Sequence, residues 1–176
     1  PSHPTQAAGH ARRTLVLAEL LEADGEPLEA LAALDRVDED AQDERTVAVL
    51  HHARAVAWLS AGELAEARQA LDGLAGPIAD RVLALKVRLL RGMIAAETGD
   101  GAAARAVAAR VLDEAGDDAE LRLEARLLAA VALDADGDRR AALERLDAVD
   151  EEVLGVLTQL GLPPVRRLAT AALEAG

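Results

Sequence analysis

The chain is 176 residues long, 51% hydrophobic, with Asp+Glu 32 against Lys+Arg 19 and a formal net charge of -13. That apolar content is enough for a core and excludes a disordered tail. The absence of Cys excludes disulfides and thiolate chemistry. With no Phe, no Tyr and a single Trp, the chain lacks stacking platforms for single-stranded nucleic acid, and its charge repels phosphate backbones and anionic membranes.

The length suits one domain or a short repeat array. No apolar run nears the roughly 20 residues that span a bilayer, and no export-signal pattern is seen, so the expected location is the cytoplasm. Residue 1 is Pro rather than Met, which suits a processed chain or an excised piece. Arg outnumbers Lys 18 to one and Ala is abundant, a usage associated with high-GC bacteria.

Ala, Leu, Arg and Glu dominate, all strong helix formers, and alternating β-branched runs are missing. In chain order the pattern predicts helices at 6–23, 27–37, 42–60, 63–74, 78–97, 101–114, 118–135, 138–149, 151–160 and 164–175. Pro77 and Pro163-Pro164 suit helix starts, where a missing N–H costs nothing. The stretch 38–45 (DEDAQDER) and the GDD at 116–118 read as acidic connections. Gly25, Gly62, Gly99 and Gly137 are spaced 37, 37 and 38 residues apart, with Gly176 a further 39 on. A fixed period in this range marks a helical repeat array.

Each of those four glycines ends one predicted helix and precedes another. Five residues later stands Ala30, Ala67, Ala104 or Ala142, and four further on Leu34, Leu71, Ala108 or Leu146. Seven residues before the Gly stands Ala18, Ala55, Gly92 or Ala130, and four before it Leu21, Trp58, Ala95 or Leu133. Small residues at these places let paired helices approach closely. Trp58 is expected to be buried where the second pair of helices meets.

This pattern resembles the tetratricopeptide repeat over residues 9–149. The period is longer than the family's usual length of about 34 residues, the Pro after the second helix is missing, and Arg54 and Arg91 stand where an apolar residue is usual. Divergent arrays of this kind are similar to those fused to bacterial regulators. The resemblance implies an all-α fold: a right-handed superhelix of antiparallel helix pairs, an α-solenoid with first helices lining the concave face. One domain, 1–176, would hold repeats at about 9–38, 42–76, 78–116 and 118–150, with helices over 151–176 as the cap. If the last helix is instead a first helix ending at Gly176, the protein continues beyond it.

Side chains that carry chemistry are sparse. His51-His52 is the one adjacent histidine pair, and neighbours on a helix point about 100° apart, so the rings diverge. His3 and His10 fall in an N-terminus expected to fray. No i, i+4 histidine pair suggests a metal, and no cofactor motif occurs; Gly99-Asp100-Gly101 reads as a turn. The two serines, Ser2 and Ser60, stand in no nucleophile elbow. The chain is therefore read as a non-enzyme without metal or cofactor. Arg81, Arg88 and Arg91 share one helical face, where pairing with a neighbouring helix's acids is favoured over an acidic partner.

The resemblance places ligand-facing positions thirteen, ten, six and three residues before each Gly. The expected partner-binding groove is therefore Leu15, Glu19, His52, Val56, Leu59, Leu89, Met93, Leu127 and Val131. The Asn/Lys pattern that clamps a peptide carboxylate in chaperone-binding members is absent, because the chain has no Asn. The reading is a scaffold holding a partner helix or peptide on an apolar concave strip, with the same side chains serving as core if the array closes on itself. The alternative is a sensor or oligomerisation module of a larger bacterial regulator. A protein or peptide is the expected partner, homo-oligomerisation is left open, and nucleic acid and membrane are not expected.

Overall fold

A computed structural model describes residues 4–74 and 76–175, so Ser2, His3 and Gly176 lie outside it. Among the described residues the fold is all-helical. The helices are α1 (Pro4–Ala23), α2 (Pro27–Leu34), α3 (Glu44–Ser60), α4 (Leu64–Asp72), α5 (Arg81–Glu97), α6 (Gly101–Glu114), α7 (Ala119–Ala135), α8 (Arg139–Leu146), α9 (Glu151–Leu160) and α10 (Pro163–Ala175). A 3-10 turn, Glu39–Ala41, precedes α3. No described helix is long and apolar enough to cross a membrane. Against the expected bounds, α2 and α8 stop three residues early; both end at a Leu buried against the core, followed by an Asp that closes the last turn.

Four helix-to-helix turns share one geometry. Gly25, Gly62, Gly99 and Gly137 have φ of 78°, 84°, 85° and 85°, a region glycine enters without a Cβ clash. At each turn the residue after the Gly donates its N–H to the carbonyl five residues back: Glu26 to Leu21, Glu63 to Trp58, Asp100 to Ala95 and Asp138 to Leu133, at 2.8–3.0 Å. This is the Schellman closure, which satisfies carbonyls the helix end would otherwise orphan. Asp100 and Asp138 then cap the next helix, accepting from the N–H groups of Ala103 and Ala141.

The small residues sit where the helices meet. Ala30, Ala67, Ala104 and Ala142 are fully buried, as are Ala55 and Ala130, with Ala18 nearly so. Gly92 is buried, and a Cβ built on it would lie 2.5 Å from Leu128 Cδ2 and 3.2 Å from Val107 Cγ1. Leu34, Leu71 and Leu146, four residues beyond three of the alanines, are closed from solvent, each contributing roughly 1.5–3 kcal/mol by burial.

The residues gather into two compact units, Pro1–Leu83 and Ala84–Gly176. In the first unit α1 packs on α2 and α3, α2 on α3, and α3 on α4. Ala7, Ala11, Thr14 and Ala18, spaced by three and four, form the inner stripe of α1. The core here joins Ala11, Ala18, Ala30, Leu31, Leu34, Val37, Leu50 and Ala57. Trp58 packs on the edge of this cluster and is half-buried rather than enclosed. Leu21, Ala95 and Leu133 at the matching places are half-buried too; each stands in the last turn of its helix, next to the connecting Gly turn. In the second unit α7 packs on α6 and α8, and α9 pairs with α10, which turns back onto α7 and α8.

Candidate functional site

The side chains expected to line a groove divide into two groups. On α1, Leu15 is half-buried and Glu19 exposed; on α3, His52 and Val56 are half-buried. Leu59, Leu89, Met93, Leu127 and Val131, in contrast, are 1–7% exposed. As they stand these five are packed in the interior, which corrects the expectation of an open apolar strip running through all of them. The reason is clearest on α7, which has α6, α8 and α10 against it. Seven of its residues, Leu121, Ala125, Leu127, Leu128, Ala130, Val131 and Ala132, are buried. Small residues at the contacts bring neighbouring helices close, and close neighbours cover the adjoining positions.

What stays accessible is in the first unit. Leu15 is half-buried and Glu19 exposed on α1, which packs on α3, and α3 carries a half-open row, Val49, His52 and Val56, spaced by three and four on one helical face.

A polar cluster lies nearby in the same unit. Arg54 is the residue that replaces the usual apolar one, and its side chain is only 15% exposed. Its Nη1 pairs closely with Glu39, its Nη2 donates to the Leu34 carbonyl at 3.2 Å, and its Nε is 3.3 Å from Asp35 Oδ1, without hydrogen-bond geometry. His51 Nδ1 is 2.9 Å from the Ala70 carbonyl, an acceptor only, so Nδ1 carries the proton. His51 Nε2 is 3.5 Å from Glu39 Oε2. Arg54 thus holds the acidic 3-10 turn against α3, and His51 ties α3 to α4. In the sequence the acidic stretch and the odd arginine are visible only as separate features; their contact depends on a fold that brings Glu39 over Arg54.

The second unit holds another cluster. Lys86 Nζ is 2.6 Å from Glu120 Oε1 and 3.8 Å from Glu124 Oε1. Burial works against the Lys86 charge, but the Glu120 hydrogen bond and the charges of Glu124, Glu120 and Asp118 outweigh it and raise the ammonium above its ordinary value. Burial raises the Glu124 carboxyl, with Glu120 and Asp118 adding to the effect and Lys86 opposing it. Arg88 pairs with Glu114 at 2.6 Å, while Arg81 and Arg91 are also engaged. This arginine face therefore makes contacts within the chain.

A shallow depression of about 480 Å³ lies between Gly25, Glu26, Pro27, Leu28 and Glu29 and the Ala61–Glu63 turn. Three carboxylates and the exposed Leu28 border it; the sequence held no signal for it beyond the repeated Gly-Glu. Among the described residues no group of His, Cys, Asp and Glu is arranged to hold a metal ion. The chemistry these clusters offer is pairing and packing: Arg54 and Arg88 are occupied by carboxylates, and Lys86 by two of them. No family model matches the chain, and neither does any curated protein or any solved structure.

Proposed function

We propose that the chain is a protein-interaction module that performs no chemistry and receives an apolar segment of a partner polypeptide on the α1–α3 face. The observation behind this reading is a pair of packed helices with half-open apolar side chains, Leu15 on α1 and Val49 and Val56 on α3, with Glu19 and His52 as polar members of the same helical faces. Apolar side chains at helical spacing beside a polar rim suit an amphipathic helix or an extended apolar peptide. The reading also takes the hairpins as a tetratricopeptide-like right-handed superhelix, supported by four matching glycine turns and four small-residue contacts, and keeps the cytoplasmic setting expected from the sequence.

A displayed peptide library panned against the folded protein tests this. Enriched peptides should share apolar anchors and lose at least tenfold in affinity for Val56→Glu. Peptides binding folded Val56→Glu and Leu15→Glu as tightly as the unaltered protein would place the binding surface elsewhere and defeat the reading.

A second reading, an oligomerisation module of a larger regulator, is favoured by a different observation: exposed apolar residues on the outer side of α1.

A further inference from the structure

Three large apolar side chains of α1 face solvent: Val16 at 51%, Leu17 at 48% and Leu20 at 59% exposure. They lie on the outer side of α1, away from its inner stripe of Ala7, Ala11, Thr14 and Ala18. They are also off the Leu15–Glu19 face, so an interface formed by them rests on the oligomerisation reading alone and leaves the peptide-binding one untouched. Arg13 and Asp24, both exposed, end the strip. The order Arg13, Leu17, Leu20, Asp24 is i, i+4, i+7, i+11, one stripe about 16 Å long at 1.5 Å per residue. Asp24 still follows the helical path, since its N–H bonds to the Leu20 carbonyl at 3.0 Å. Among the described residues neither Arg13 nor Asp24 enters an ion pair.

The stripe is complementary to itself. Laid antiparallel on a second copy, it sets Arg13 against the copy's Asp24, Leu17 against its Leu20, and the same pairs again in reverse. Every contact then occurs twice about a two-fold axis, the commonest closed symmetry for identical chains. The comparable exposed strip on α9, Glu152–Val156–Leu160, has an acidic end and no basic one, so it lacks this property. A foreign helix has no reason to carry the reversed charge order, whereas a second copy carries it by construction.

We infer that the outer face of α1, from Arg13 to Asp24, is the interface of an antiparallel homodimer. Two helix faces bury a small area, so the association is of micromolar strength or weaker. Each copy carries a charge of -13, so the measurement belongs near 0.15 M salt, where the Debye length is about 8 Å.

Sedimentation equilibrium on the full chain, from about 1 μM to about 1 mM, tests the proposal, with circular dichroism confirming that each variant is folded. The mass should rise from one chain to two. Arg13→Asp and Asp24→Arg should each raise the dissociation constant at least tenfold, and the double variant R13D/D24R should bring it back, because the swap restores both pairs in the antiparallel arrangement. A monomer throughout would overturn both this interface and the oligomerisation reading. A dimer indifferent to either reversal, growth beyond two chains, or failure of the double swap to rescue would overturn the interface while leaving self-association standing. All substitutions are at exposed positions, and if Leu17→Glu were added and unfolded the chain, the charge swaps alone still decide.

Discussion

Lys86 and Glu124 stand thirteen residues ahead of Gly99 and Gly137, at matching places in successive hairpins, and Nζ and Oε1 lie 3.8 Å apart. Positions equivalent in sequence therefore face one another across α5 and α7. Glu120, one turn earlier on α7, takes the shorter contact and leaves Glu124 the less favoured of the two carboxylates.

That arrangement sets a pH dependence. The folded state raises the Glu124 carboxyl above its ordinary 4.5, so folding favours its protonated form. The contribution is fully present below the ordinary value and is lost as pH rises through the folded one. At pH 7 the ionised Glu124 is a cost that Glu124→Gln removes. Urea unfolding should show the variant gaining stability relative to the unaltered chain on going from pH 4 to pH 7. An identical difference at both pH values would refute the shift.

The Gly92 contact with Leu128 allows no methyl group. Leu128 is fully buried, so it can yield only by disturbing its packed neighbours, and Gly92→Ala should destabilise by about 1–3 kcal/mol despite the better helix propensity of alanine. Gly9 is the control. A Cβ there meets only the end of Arg13 at 3.5 Å, an ordinary contact, and Gly9→Ala should stabilise by about 0.5–1 kcal/mol. Denaturant midpoints of the two variants should move in opposite directions.

Removing Arg54 leaves Glu39 without its close donor, while the Leu34 carbonyl keeps the Val37 N–H. Glu39 is one-third exposed and Asp35 mostly so, which softens the penalty. Arg54→Met should cost about 1–3 kcal/mol. The double variant R54M/E39Q should recover part of that loss, because the uncompensated carboxylate is gone. Additive losses in a double-mutant cycle would mean the pair does not couple.

Trp58 rests half-open on the core edge. Trp58→Ala should cost less than the 3–5 kcal/mol of a fully enclosed aromatic, nearer ~2 kcal/mol. Its emission should be quenched by acrylamide at a rate between those of buried and free indole. Complete protection from the quencher would contradict the partial exposure.

Much of the fold was legible because its signals are local. At four helix ends the glycine is left-handed and the residue after it bonds to the carbonyl five back, a closure made within a few residues. The spacing of Gly25, Gly62, Gly99 and Gly137 therefore located four hairpins, and the alanines five residues later marked the contacts within them. The candidate site was less legible. Leu15 and Leu127 hold matching places in their hairpins, yet one is half-open and the other buried, since α7 has a helix on each of three sides. Arg54 read as a departure from a pattern until Glu39 and Asp35, far from it along the chain, came into reach.

The sequence by itself determined which segments are helical, where they turn and which faces are small enough to touch, because those choices are made within a few residues. Only the tertiary structure decided which apolar faces close and which stay open. Burial is set by the number of helices that arrive at a face, and that number is a property of neighbours the local pattern does not contain.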